Sequence, residues 1–256
     1  MEPVFIIPTI GRPSLTEALN SLIAQTSESW KALVIGDGVE IHEQPDQRIT
    51  TINISKLGVG RNSAGNVRNA GMIWWLEKKN HVDYFAFLDD DDTLNQNYVE
   101  YLLTCLAENE NPDVALMRMV HHYKGILPPP GKDKIVKEWV GISFAIKASC
   151  FQEGFHFVPS AQEDFHLLKR LKNAGKKIIF GKEALYIVHG NNAKIYREAW
   201  LRKIEAKKAA AKKRRVAKGE TVKAKRRRKI GRLRKKEGEK GKERQPRAKV
   251  RTRRRK

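Results

Sequence analysis

The chain is most constrained by a series of short, continuous apolar runs separated by segments of helical period. "VFIIPTI", "WKALVIGDG", "YFAFL" and "DVALMRMVHHY" read as strands buried in a sheet, and "ITTINIS" as a further one. Between them, "SLTEALNSLIAQT", "GVGRNSAGNVRNAGMIWWLEKK" and "QNYVEYLLTCLAEN" read as helices. In the first helix Ser14 and Glu17 have capping-box spacing, and Leu15, Leu19, Leu22 and Ile23 are expected to form one apolar face. In the second, Ala70, Ile73, Trp74 and Leu76 are the expected core contacts. Strand and helix in alternation predict an α/β fold with a mostly parallel central sheet flanked by helices. The later part is less regular. A Pro/Gly loop, "GILPPPGKDK", leads to strands in "GISFAIKAS" and "KKIIFGKEALYIVHG", with the helix "EDFHLLKRLKNAG" between them, closed at Gly175.

Charge divides the chain. Of its 256 residues, 197–256 hold 30 Lys/Arg and 6 Asp/Glu, whereas 1–196 hold 21 and 23. A near-neutral body, 1–196, is therefore followed by a Lys/Arg-rich tail, 197–256, expected to be helical to about Arg215 and disordered beyond. Cys105 and Cys150, the two cysteines, indicate buried thiols in a reducing compartment. The N-terminus lacks the basic start and cleavage site of a signal peptide, and no apolar run has membrane-spanning length. The expected location is the cytoplasm or the cytoplasmic face of a membrane.

Asp89, Asp90, Asp91 and Asp92 follow "YFAFL" directly. Ligands of an open α/β sheet bind beyond the carboxyl ends of its strands. Carboxylates gathered there call for a hard divalent cation, Mn²⁺ or Mg²⁺, which commonly bridges to phosphate oxygens. A diphosphate leaving group fits that need. An EF-hand loop fails, because Leu94 stands where its turn needs Gly and a strand precedes it. "FLDDDDTL" also matches the nucleophile motif of haloacid-dehalogenase-type phosphatases, with Asp89 as nucleophile, but that motif usually opens its fold and here a complete strand–helix–strand unit comes first.

Four segments together resemble the family 2 glycosyltransferases of the GT-A fold, from Val4 to about Ala193. They are "IIPTIGRPSLTEALNSLIAQTSESWKALVIGDG", "RNSAGNVRNAG", the Asp-x-Asp run "FLDDDDTL", and "QEDFHLLKRL". The resemblance implies transfer of a sugar from a nucleotide diphosphate donor, UDP favoured, to an acceptor hydroxyl with inversion. It places Pro8, Thr9 and Asp37 in the nucleotide pocket, with Asp37 accepting from uracil N3–H. The family often has a second Asp before this one, where the chain has Gly36. It places Arg68 on the nucleotide or diphosphate, with Arg61 and Asn62 as weaker candidates. Metal and ribose contacts fall to Asp89, Asp91 and Asp92, with His189 as a further metal ligand. On an extended backbone Asp89 and Asp91 share a face, and Asp90 is expected to point outward. Asp164 is the expected general base, with Glu163 beside it in the acceptor pocket. Trp139 in "EWVGISFAIKAS" would stack on a sugar or lie buried.

Each assignment has a plainer counterpart. Asp37-Gly38 is also a turn pair, Arg68 a surface ion-pair former, and Glu163 and Asp164 ordinary acids of a first helical turn. The acceptor stays open among saccharide, lipid-linked and protein hydroxyls. The tail has three readings: attachment to an anionic membrane surface, nucleic-acid binding through phosphates, or no defined partner. A nucleic-acid-binding protein with a degenerate body is the alternative of a different class.

Overall fold

A computed structural model describes residues 1–58, 64–79 and 81–189. Arg61, Asn62 and the whole of 197–256 lie outside the described residues. The elements run β1 (Val4–Thr9), α1 (Leu15–Ile23), β2 (Lys31–Asp37), β3 (Ile49–Ile54), α2 (Ala64–Lys79), β4 (Tyr84–Phe87) and β5 (Thr93–Leu94). Then come α3 (Tyr98–Glu108), β6 (Val114–His121), β7 (Gly125–Leu127), β8 (Phe144–Lys147), α4 (Ala148–Gln152), α5 (Glu163–Asn173) and β9 (Ile178–Val188).

One sheet runs in the order β3-β2-β1-β4-β8-β6-β9-β5, with β7 added to β6. β3, β2, β1 and β4 are parallel neighbours, as continuous apolar runs covered on both faces require. Beyond them the sheet is mixed: β8 is antiparallel to β4 and β6, β9 is parallel to β6, and β5 is antiparallel to β9. The mixed half brings β9 beside the acid run, because β5 starts one residue after Asp92 and pairs Thr93 with Ile187 and Leu94 with Tyr186.

Two local expectations change. Ser14 has helical backbone angles and its side chain makes no capping bond, so α1 is entered through backbone contacts alone. Leu15, Ala18, Leu19 and Leu22 form its buried face, and Ile23 lies exposed. On α2, Trp74 and Leu76 pack against the core as expected, but Ile73 is exposed, and Val67, Arg68, Met72 and Trp75 are buried. A Cβ at Gly71 would lie 2.2 Å from Ile35 Cδ1 and 3.3 Å from Ile6 Cγ2, so α2 sits close on β1 and β2. The closeness puts a charged residue, Arg68, on the inward face.

Gly36 is held by the same kind of constraint. A Cβ at 36 would stand 2.4 Å from the Val39 carbonyl oxygen and 2.6 Å from Asn53 Oδ1. Asn53 is not free to withdraw, because it accepts from Ile41 N–H at 2.9 Å and donates to Ile41 O at 3.1 Å. The fold has no room for the second aspartate common at this position in the resembled family. Gly36→Asp is expected to destabilise the protein by about 1–3 kcal/mol, the usual range for overpacking, measured by urea unfolding.

Candidate functional site

The ends of β1, β2 and β4 meet at one side of the sheet. Thr9 and Asp37 close β1 and β2, and the acid run follows β4 after Leu88. The run is a turn, not an extended segment, with Asp92 N–H donating to Asp89 O at 3.1 Å. The turn folds Asp92 back toward Asp89, so that carboxylate oxygens of Asp89, Asp91 and Asp92 lie within 4.8 Å of one another. Asp90 goes the other way but is not solvated. It is 3 % exposed, and it accepts from Thr9 Oγ1 at 2.6 Å and from Arg12 at 2.7 Å. Arg12 also stands 3.4 Å from Asp91.

Arg68 is the centre of the arrangement. The residue is 3 % exposed, and its guanidinium pairs with Asp89 through one terminal nitrogen and with Glu163 through the other. Phe157 lies 5.5 Å below it. Burial opposes the charge on Arg68, but the two carboxylates outweigh it and the pKa moves up. Glu163 also accepts from Gly65 N–H at 2.9 Å. Both terminal nitrogens of Arg68 face protein carboxylates, and the residue also lines the cavity beside Pro8, Thr9 and Asp37.

Two cavities open on either side of this clamp. One, of about 520 Å³, is lined by Pro8, Thr9, Arg12, Asp37, Lys56 and the acids 89–91. The other, of about 360 Å³, is lined by Asp92, Met119, His121, Val140, Glu163, Asp164 and Tyr186. Ala64, Arg68 and Asp89 belong to both walls. The first cavity is of the size of a small-ligand pocket, and the two share a junction where two bound molecules could meet.

Asp37 lines the larger cavity but spends much of its carboxylate on the backbone. Oδ1 accepts from Leu57 N–H at 2.7 Å, and Gly58 N–H reaches both oxygens at 3.3 and 3.2 Å. It thus shapes the segment after β3 as well as facing the cavity. Asp164 lines the smaller cavity, with Oδ1 accepting from Phe165 N–H at 2.6 Å. Burial lifts its pKa, against the Phe165 hydrogen bond and Arg68, with Asp89 adding to the rise. Burial also leads the upward shifts of Asp91 and Asp92, and neighbouring aspartates reinforce both.

Asp89, Asp91 and Asp92 fit a hard divalent cation by donor type and mutual distance. His189 does not belong to that group. Its backbone N–H donates to Asp92 Oδ1 at 2.9 Å, while Nε2 contacts Thr93 Oγ1 at 2.7 Å and Nδ1 contacts His122 Nε2 at 3.2 Å. Trp139 is half-buried with Lys132 5.7 Å from its ring, and is not part of the smaller cavity's wall.

Sequence reading passed over Arg12, Lys56 and Tyr186. Arg12 stood in the quoted Arg-Pro turn and could have been paired with an acid. Tyr186 carried no signal, since its place comes from a strand pairing, and Asp90, expected to point outward, is buried instead.

With this geometry in hand, the comparisons agree. The sequence profile described as "Glycosyl transferase family 2" matches residues 4–162, and the chain belongs to that family. Solved structures of S. aureus TarS share the fold. TarS 1–349 is 18% identical with a TM-score of 0.53, over 73% of this chain and 60% of that one. TarS 1–349 in complex with UDP-GlcNAc gives 18% and 0.56, over 73% and 58%. The longer TarS structure gives 18% and 0.57, over 73% and 36%. This chain thus spans 60% or less of the length of these relatives. No curated protein matches significantly. Among the described residues no helix is long and apolar enough to cross a membrane. Family membership sets the phosphatase reading aside, and Asp89, its nucleophile, is held by Arg68.

Arg68→Met would leave the largely buried Glu163 carboxylate without its cation, while Asp89, 33 % exposed, keeps contact with solvent. The variant is expected to lose about 1–3 kcal/mol in urea unfolding, the usual cost of a buried polar group left without its partner.

Proposed function

We propose that the protein is a glycosyltransferase that moves a sugar from a nucleotide diphosphate, UDP favoured, to an acceptor hydroxyl with inversion at the anomeric carbon. The observation that carries this reading is the pair of cavities joined at Arg68 and Asp89, with the acid run on one side and Asp164 on the other. The UDP and UDP-GlcNAc held by the TarS structures support a uridine donor.

The donor occupies the larger cavity, with its base toward Asp37 and its diphosphate toward Asp89, Asp91 and Asp92. Pro8 and Thr9 line the nucleotide. Bound by those three carboxylates, Mn²⁺ or Mg²⁺ would neutralise the charge that grows on the diphosphate. The acceptor enters the smaller cavity. Asp164 takes the proton of its hydroxyl as that oxygen bonds to the anomeric carbon, and the bond to the diphosphate breaks with its electron pair leaving on the diphosphate oxygen. Glu163 does not serve as base, because its carboxylate is committed to Arg68 and Gly65. The catalytic body is 1–196; the tail, 197–256, serves a location or acceptor role at an anionic surface and not the chemistry.

Calorimetric titration of the full chain tests the donor assignment. UDP is expected to bind in the presence of Mn²⁺, more tightly than GDP or TDP, and Asp91→Ala is expected to abolish the metal dependence. Binding of none of the three would remove the proposal.

Asp164 sets the pH response. A base works in its ionised form, and burial holds this carboxyl above the usual aspartate range. Activity is therefore expected to fall, as pH is lowered, at a higher pH than an exposed aspartate would give. Asp164→Asn is expected to lower kcat by roughly 100- to 10,000-fold, with metal-dependent UDP binding retained.

A further inference from the structure

Two tyrosines lie side by side beneath the acid run. Tyr98, on α3, and Tyr186, on β9, have rings 6.2 Å apart at 67°, and both are fully buried. Their hydroxyls differ. That of Tyr98 has no hydrogen-bond partner among the described residues. That of Tyr186 accepts from Asp89 N–H at 3.2 Å. The oxygen thus holds the first residue of the Asp89–Asp92 turn.

We propose that Tyr186 is a positioning residue for the carboxylate triad, holding the turn so that Asp89 and Asp92 present their oxygens to one cation. The inference rests on the reading of Asp89, Asp91 and Asp92 as a divalent-cation site. Strand pairing fixes where the hydroxyl sits. Tyr186 pairs with Leu94 of β5, two residues past the turn, and with Met119 of β6 on its other side. Both registers fix the backbone from which the phenol reaches the turn. The turn closes through Asp92 N–H to Asp89 O, and the phenol adds a tie at Asp89 N–H. Partners of this kind, one bond removed from a metal, commonly change its affinity by 10–100-fold.

The test uses the full chain and Mn²⁺ alone, with free Mn²⁺ followed by electron paramagnetic resonance. Tyr186→Phe is expected to weaken Mn²⁺ binding about tenfold. Tyr98→Phe, which removes the idle neighbouring hydroxyl, is expected to bind as wild type does. Melting temperatures of both variants separate a packing effect from a positioning one. A Tyr186→Phe protein that is less stable yet binds Mn²⁺ normally would overturn the proposal. Should Tyr186→Phe fail to fold, wild type alone decides. Mn²⁺ addition is expected to produce a tyrosine ultraviolet difference band, retained in Tyr98→Phe, and its absence would overturn the proposal. No Mn²⁺ binding by wild type would overturn the cation site itself, and this inference with it.

Discussion

The site depends on one buried guanidinium. Arg68 joins Asp89, at the end of β4, to Glu163, at the start of α5. These acids are far apart in sequence; Asp89 belongs to both cavity walls and Glu163 to that of the smaller cavity. A buried charge is costly unless paired, so the buried guanidinium requires its carboxylates. Glycine makes the meeting sterically feasible twice. Gly71 brings α2 onto β1 and β2. A Cβ at Gly65 would stand 2.4 Å from Glu163 Oε2 and 2.9 Å from Phe157 Cβ, so only a bare backbone lets α5 start here. The clamp thus depends on close backbone approach, and the two cavities take their common wall from it.

The alternating apolar runs announced the parallel half of the sheet, and β1 to β4 follow them closely. The same reading missed β5 and β7, two and three residues long, because so short a strand has no period to detect. On α2 the expected Trp74 and Leu76 contacts hold, but Ile73 is exposed and Arg68 is buried. A charged residue in a helical segment is read as its wet side, and Arg68 is on the dry side because its partners come from elsewhere in the chain. In the same way, the acidic run was legible as a site, but its internal geometry was not. The i, i+2 rule assumes an extended backbone, and here the backbone turns. Asp90 was expected to face solvent and is the most deeply bonded of the four. Glu163 and Asp164 were placed together by the sequence pattern, and the structure separates them by occupation: one is a partner of Arg68, the other faces the cavity.

Four adjacent carboxylates remain to be explained as a whole. The chain neutralises them unequally. Asp90 has Arg12 and the Thr9 hydroxyl, and Asp89 has Arg68. Asp91 stands farther from Arg12, at 3.4 Å, and Asp92 accepts the neutral N–H of His189 at 2.9 Å. Burial, reinforced by neighbouring aspartates, raises the pKa values of Asp91 and Asp92. Among the described residues two guanidiniums, Arg12 and Arg68, face the four carboxylates, and a divalent cation would supply the remaining charge. Had the chain supplied a third guanidinium, the run would be stable without a ligand and would have no reason to gather one.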